Sequence, residues 1–129
     1  MKLFTQEQYA RLAKNGSPEH SEEDHFPVVK LFTPDANCTW LITEIVDDET
    51  AFGLCDLGMG CPELGYVNLA EVSSVKGQLG LPVERDRFFE AKFPLSVYFE
   101  AATFKEGISE NETDLQQAET RLKNKIKAG

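Results

Sequence analysis

The spacing of apolar residues along the chain changes character twice. In QEQYARLAKN, Tyr9 and Leu12 or Ala13 recur at helical spacing, Thr5 with Gln8 makes a capping box, and Gly16 supplies the stop. A first helix over Gln6–Asn15 follows. The next segment, SPEHSEEDHF, is polar and acidic with a proline, and reads as an exposed connection. Beyond it the period shortens to that of strands. VVKLFT (28–33), CTWLITEIV (38–46), AFGLCDL (51–57) and LGYVNL (64–69) are short β-branched or aromatic runs, separated by the turn formers PDAN, DDET and GMGCPE. Connections this short join antiparallel neighbours, which predicts a four-stranded meander.

Centring each turn sorts the strand side chains between two faces. One face receives Val29, Leu31, Trp40, Ile42, Cys55, Leu57, Leu64 and Tyr66, the composition of a core. The other receives Val28, Lys30, Phe32, Thr39, Leu41, Thr43, Leu54, Asp56 and Val67, a mixed set that a helix, a ligand or a partner could cover. After Leu69 the pattern returns to longer periods. AEVSSVKGQLG predicts a short helix or turn, and Leu81–Phe88 an extended edge segment with Arg85 and Arg87 on one side and Glu84 and Asp86 on the other. Pro94 opens a helix whose stripe is Leu95, Tyr98, Phe99 and Ala102, ending before Gly107. Ser109 with Glu112 reads as a second capping box, opening a helix from Glu110 to about Lys127 whose stripe is only Leu115, Ala118, Leu122 and Ile126. So narrow a stripe leaves that helix free to lie on the body or pair with another chain.

At 129 residues the chain fits one domain, assigned to residues 1–108 with a helical extension over 109–129. The expected fold is α+β: a four- to five-stranded, mainly antiparallel sheet with an N-terminal helix and C-terminal helices. The formal net charge is −9. The stretch 1–106 carries 18 acidic and 9 basic residues while 109–129 carries 4 of each, so the excess lies on the body. An acidic body repels phosphates, which makes direct nucleic-acid binding an unpromising expectation, and suits a basic protein partner or plain solubility. No run of about 18 apolar residues is present, and the first residues carry no signal-peptide pattern. A cytoplasmic location with no membrane association is therefore expected, and with it reduced thiols at Cys38, Cys55 and Cys61.

The glycine-rich stretch AFGLCDLGMGCPELGYVNL poses the question of chemistry. Cys55 and Cys61 are separated by five residues and His20 and His25 by four, so no cysteine knuckle of the usual zinc spacing exists and no metal site is expected. The glycines are followed by Cys61, Pro62 and Glu63 rather than by a lysine and a helix, which removes the phosphate-loop reading. Both histidines lie in the acidic connection, away from any candidate nucleophile, so no catalytic residue and no cofactor is assigned. Asp56 with Glu63 is the carboxylate pair a metal-dependent hydrolase or nuclease would use.

The blocks PVVKLFTPDANCTWLITEI, AFGLCDLGMGCPELGYVNL and GLPVERD resemble, in that order, the family known as domain of unknown function 2958. The resemblance extends from the first helix to about Ile108. It implies a small bacterial protein carried on plasmids, integrative elements or phages, and brings no catalytic residues with it. Genes in that setting often encode accessory or anti-defence proteins. The expectation is thus a non-enzymatic accessory protein, an anti-CRISPR or anti-restriction inhibitor that binds a host defence or nucleic-acid-processing protein. The contacts assigned to it are Lys30, Asp56, Glu63 and Arg85. A small-molecule or nucleotide binder using the mixed face is the remaining alternative, and the C-terminal helix is a possible oligomer contact.

Overall fold

The computed structural model describes residues 3–128. Its elements are α1 (Gln6–Asn15), β1 (Val29–Phe32), β2 (Thr39–Asp47), β3 (Thr50–Asp56), β4 (Glu63–Asn68), α2 (Leu69–Ser74), β5 (Glu84–Arg85), α3 (Leu95–Lys105) and α4 (Glu112–Ala128). The sheet is antiparallel with strand order β4-β3-β2-β1-β5, so the meander is present and gains β5 beside β1. The α+β class is as expected.

Helix α1 begins and ends where its caps dictate: Thr5 accepts from the Gln8 amide at 3.1 Å, and the Gln8 side chain accepts from the Thr5 amide at 2.9 Å. It presses Leu12 into a first core with Val29, Leu31, Trp40, Ile42, Ala51, Val72 and Val83. A second core lies on the opposite face, where Leu41 and Leu54 meet Leu95, Tyr98 and Ala101 of α3 and Leu115 and Ala118 of α4. The mixed face is therefore covered at its centre by α3 and α4. The sign of this was the nearly continuous apolar run in β2, where Trp40 to Ile45 are all buried; a strand covered on both sides need not alternate. Gly53 allows the close approach of β3 to β2, since a Cβ there would stand 2.1 Å from the Leu41 carbonyl oxygen.

The acidic connection contributes to this layering. Pro94 precedes α3 without a capping side chain, and Asp24 supplies one from the other end of the chain: it accepts from the Ser96 amide at 3.1 Å and from the Ser96 hydroxyl. A carboxylate there complements the positive end of the helix dipole.

Four expectations need correction. In β4 the register pairs Leu54 with Leu64 and Phe52 with Tyr66, so Leu64 and Tyr66 share the face of Leu41, and Val67 lies opposite Ala51 on the other. The β3–β4 loop is off-centre: Asp56 turns the chain early by accepting from the Gly58 amide at 2.9 Å, Gly58 and Gly60 take positive φ of 79° and 80°, and β4 starts directly after Pro62. Displacing the pairing by an odd number of residues exchanges the two faces. Val28, assigned to the mixed face, joins the first core from just ahead of β1. The extended edge segment shrinks to two residues at Glu84–Arg85, because Asp86 accepts from the Phe88 amide at 2.9 Å and turns the chain. The last helix starts at Glu112 and is capped by Asn111, which accepts from the Asp114 amide at 3.2 Å; Ser109 instead donates to Asp114 at 2.7 Å.

Candidate partner-binding edge

The cross-strand register decides where the predicted contact residues stand. Arg85, Leu31, Trp40, Cys55 and Glu63 form one row across all five strands, on the face of the first core. Arg85 and Glu63 are its two ends, four strand spacings or about 19 Å apart. Lys30 and Asp56 lie on the opposite face. The four residues do not converge on one surface.

Each of them also has a local setting. Lys30 donates to Glu110 at 2.5 Å and stands 3.6 Å from Asp86, joining β1 to the segment ahead of α4. Asp56 accepts from the Gly58 amide and, at 2.9 Å, from the Ile108 amide, so both carboxylate oxygens hold backbone and the loop is tied to the end of α3. Glu63 is exposed at the start of β4. Arg85 is half-buried on β5. Asp56 and Glu63 point to opposite sides of the sheet, which dissolves the carboxylate pair considered for metal-assisted hydrolysis. Among the described residues no group of three or more His, Cys, Asp or Glu is placed to hold a metal ion.

The cysteines separate in the same way. Cys55 faces the first core beside Trp40, and burial together with the Glu63 carboxylate pushes its thiol up to about 11. Cys61 is exposed in the loop, and Cys38 approaches the Leu57 carbonyl oxygen at 3.8 Å. All three are free thiols.

Two hollows bear on a ligand-binding reading. One of about 400 Å³ is lined by Phe88, Phe89, Phe93 and Tyr98 with Asp86, Glu90, Glu110, Glu112 and Lys92; its carboxylates already have a cation, since Lys30 stands between Asp86 and Glu110. The other, about 290 Å³, lies between the sheet and α2, lined by Trp40, Cys55, Val67, Val72 and Val75. Its lining is mostly apolar but includes Asn68 and the Glu71 carboxylate, and its thiol is held protonated.

The surface with the most distinctive chemistry is the outer edge of the sheet at β4. Among the described residues no strand pairs with its outer side, and none of its six residues is buried. Tyr66 is 69% exposed although its ring meets Phe52 edge-on at 5.0 Å, Leu64 is 38% exposed, and the adjoining loop exposes Leu57 and Met59. Carboxylates stand at both ends of the strand. Glu63 opens it, and a Cβ on the nearby Gly60 would lie 3.7 Å from the Glu106 carboxylate. At the far end Asn68 pairs with Thr50, the Leu69 amide donates to the Glu49 carbonyl at 2.8 Å, and so Asp47, Asp48, Glu49 and Glu71 gather there. From residue 31 to residue 75 the chain contains no Lys, Arg or His, against Asp35, Glu44, Asp47, Asp48, Glu49, Asp56, Glu63 and Glu71. That cation-free run was the signal available in the sequence; the assumed register hid Leu64 and Tyr66 in the core.

A helix-flanked antiparallel sheet of five strands defines a small α+β protein. The family model described as a protein of unknown function, DUF2958, matches residues 3–109. The chain belongs to that family, and α4 lies beyond the matched region. Neither the curated proteins nor the solved structures contain a significant match. No helix among the described residues is long and apolar enough to cross a membrane.

Proposed function

We propose that this protein is a non-enzymatic accessory protein of a mobile element that inhibits a host defence protein, of the anti-CRISPR or anti-restriction kind, by binding it. The observation that carries the reading is the run from residue 31 to residue 75, which brings carboxylates and no Lys, Arg or His to the sheet edge at β4. Defence and nucleic-acid-processing proteins present basic surfaces to phosphate, and an acidic surface with exposed aromatic and aliphatic residues complements such a surface in charge and burial. The mobile-element setting comes from the family resemblance. The same charge opposes direct contact with nucleic acid.

The test is affinity capture from the native host, with recovered protein and nucleic acid both identified, using the wild type and a Glu49→Gln, Glu63→Gln, Glu71→Gln variant. The reading expects a basic protein on the wild type that is lost from the variant and inhibited by the wild type in its own assay. Equal capture by the variant contradicts it.

A further inference from the structure

Resting on that reading, we infer that the partner docks by strand addition: an extended segment alternating basic and apolar residues pairs with the outer edge of β4 and becomes the sheet's sixth strand. An edge strand presents a row of N–H and C=O groups with no partner, and proteins normally guard such rows with lysine, proline or a covering helix. From Glu63 to Asn68 the strand has no lysine and no proline. At its centre Gly65 has open space, since a Cβ built there would meet nothing within 4 Å. The opposite edge is different, for β5 is two residues long and charged at both.

Strand addition draws affinity from main-chain hydrogen bonds and specificity from alternate side chains. On one face of β4, Leu64 and Tyr66 would receive the apolar residues of the added strand. The carboxylates at the two ends, Glu63 and Glu71 among them, would receive its cations. A second copy of the chain is a poor occupant, because it would bring the same carboxylates against these. The charge therefore selects a basic segment.

The probe is an acetylated, amidated heptapeptide of alternating lysine and valine, compared with its analogue N-methylated at every amide. The analogue keeps charge and side chains but cannot donate to a strand. With the full-length protein at low salt, the parent peptide should bind, slow hydrogen exchange at β4 amides, and bind at least about tenfold more tightly than the analogue. Tyr66→Lys should weaken the parent peptide by a similar factor, while the loss of its edge-on contact with Phe52 lowers the melting temperature only slightly because the ring is largely exposed. Equal, salt-sensitive binding of both peptides overturns strand addition and leaves the acidic binding surface standing. Binding of neither removes both, and a dimer of the free protein with β4 already protected assigns the edge to a second copy and overturns the inference.

Discussion

Single residues carry the clearest consequences of burial. Cys55 and Cys61 differ by six positions, yet one thiol is pushed up to about 11 and the other is exposed. Alkylation followed by mass spectrometry at pH 8 should label Cys61 first and Cys55 only after denaturation. Because the folded value exceeds the ordinary 9.0, the stability linked to the protonated thiol is present below pH 9 and lost as pH rises towards 11. Glu44 gives a second case. It is 7% exposed on β2, and burial raises its carboxyl above the usual range while His25 opposes the shift. A raised carboxyl stabilises the fold below its ordinary value and loses that contribution as pH rises through the folded one, so at neutral pH the ionised side chain is a cost. Glu44→Gln should raise the melting temperature at pH 7, with the gain shrinking towards pH 4; a lower melting temperature at pH 7 would contradict this. The inward position of Cys55 was legible from alternation in its strand. The burial of Glu44 was not, because the register of β2 shifts between Ile42 and Glu44 and again between Ile45 and Asp47, which interrupts the strand's alternation there.

Elements were legible where a local signal ends them. Helix α1 has its capping box and its glycine in sequence, and both bounds follow from them. Strand β4 has no such marker, since its register depends on how an irregular loop spends its residues. Helix α4 was legible in its extent but not in its fate, because a narrow stripe suits several partners. It packs on α3 through Leu115 and Ala118 and is fastened by Glu100, which accepts from Arg121 at 3.1 Å and from Lys125 at 2.5 Å. The hydrogen bond from Lys125, opposed by desolvation and aided by Arg121, holds the Glu100 carboxyl below its usual range. A lowered carboxyl contributes stability above its ordinary value and loses it as pH falls through the lowered one. Glu100→Gln should lower the melting temperature at pH 7 and have little effect at pH 2, with α4 amides exchanging faster by mass spectrometry. Unchanged exchange in α4 would show that Leu115 and Ala118 hold the helix without the ion pairs.

At the scale of the whole molecule, charge and topology act together. The meander places β4 at the rim, helices occupy both faces of the sheet, and the stretch from residue 31 to residue 75 brings carboxylates without cations to that rim. The charge excess on the body was legible in the sequence. Its concentration beside an uncovered strand was not, because sequence spacing does not say which strand ends the sheet or which face its aromatic residue takes. The four contact residues chosen from the sequence fell on both faces for the same reason: chemistry singled them out, but topology decides what converges.

The most direct test of the acidic edge as the working surface is the salt dependence of binding between the purified protein and the basic protein it captures. Exposed charges are screened over about 10 Å at 0.1 M salt, so an interface driven by them weakens steeply as salt rises. Between about 50 mM and about 500 mM NaCl the dissociation constant should rise by at least about tenfold for the wild type and much less for the Glu49→Gln, Glu63→Gln, Glu71→Gln variant. A wild-type constant that does not change with salt, or a variant that follows the wild type throughout, would contradict the account.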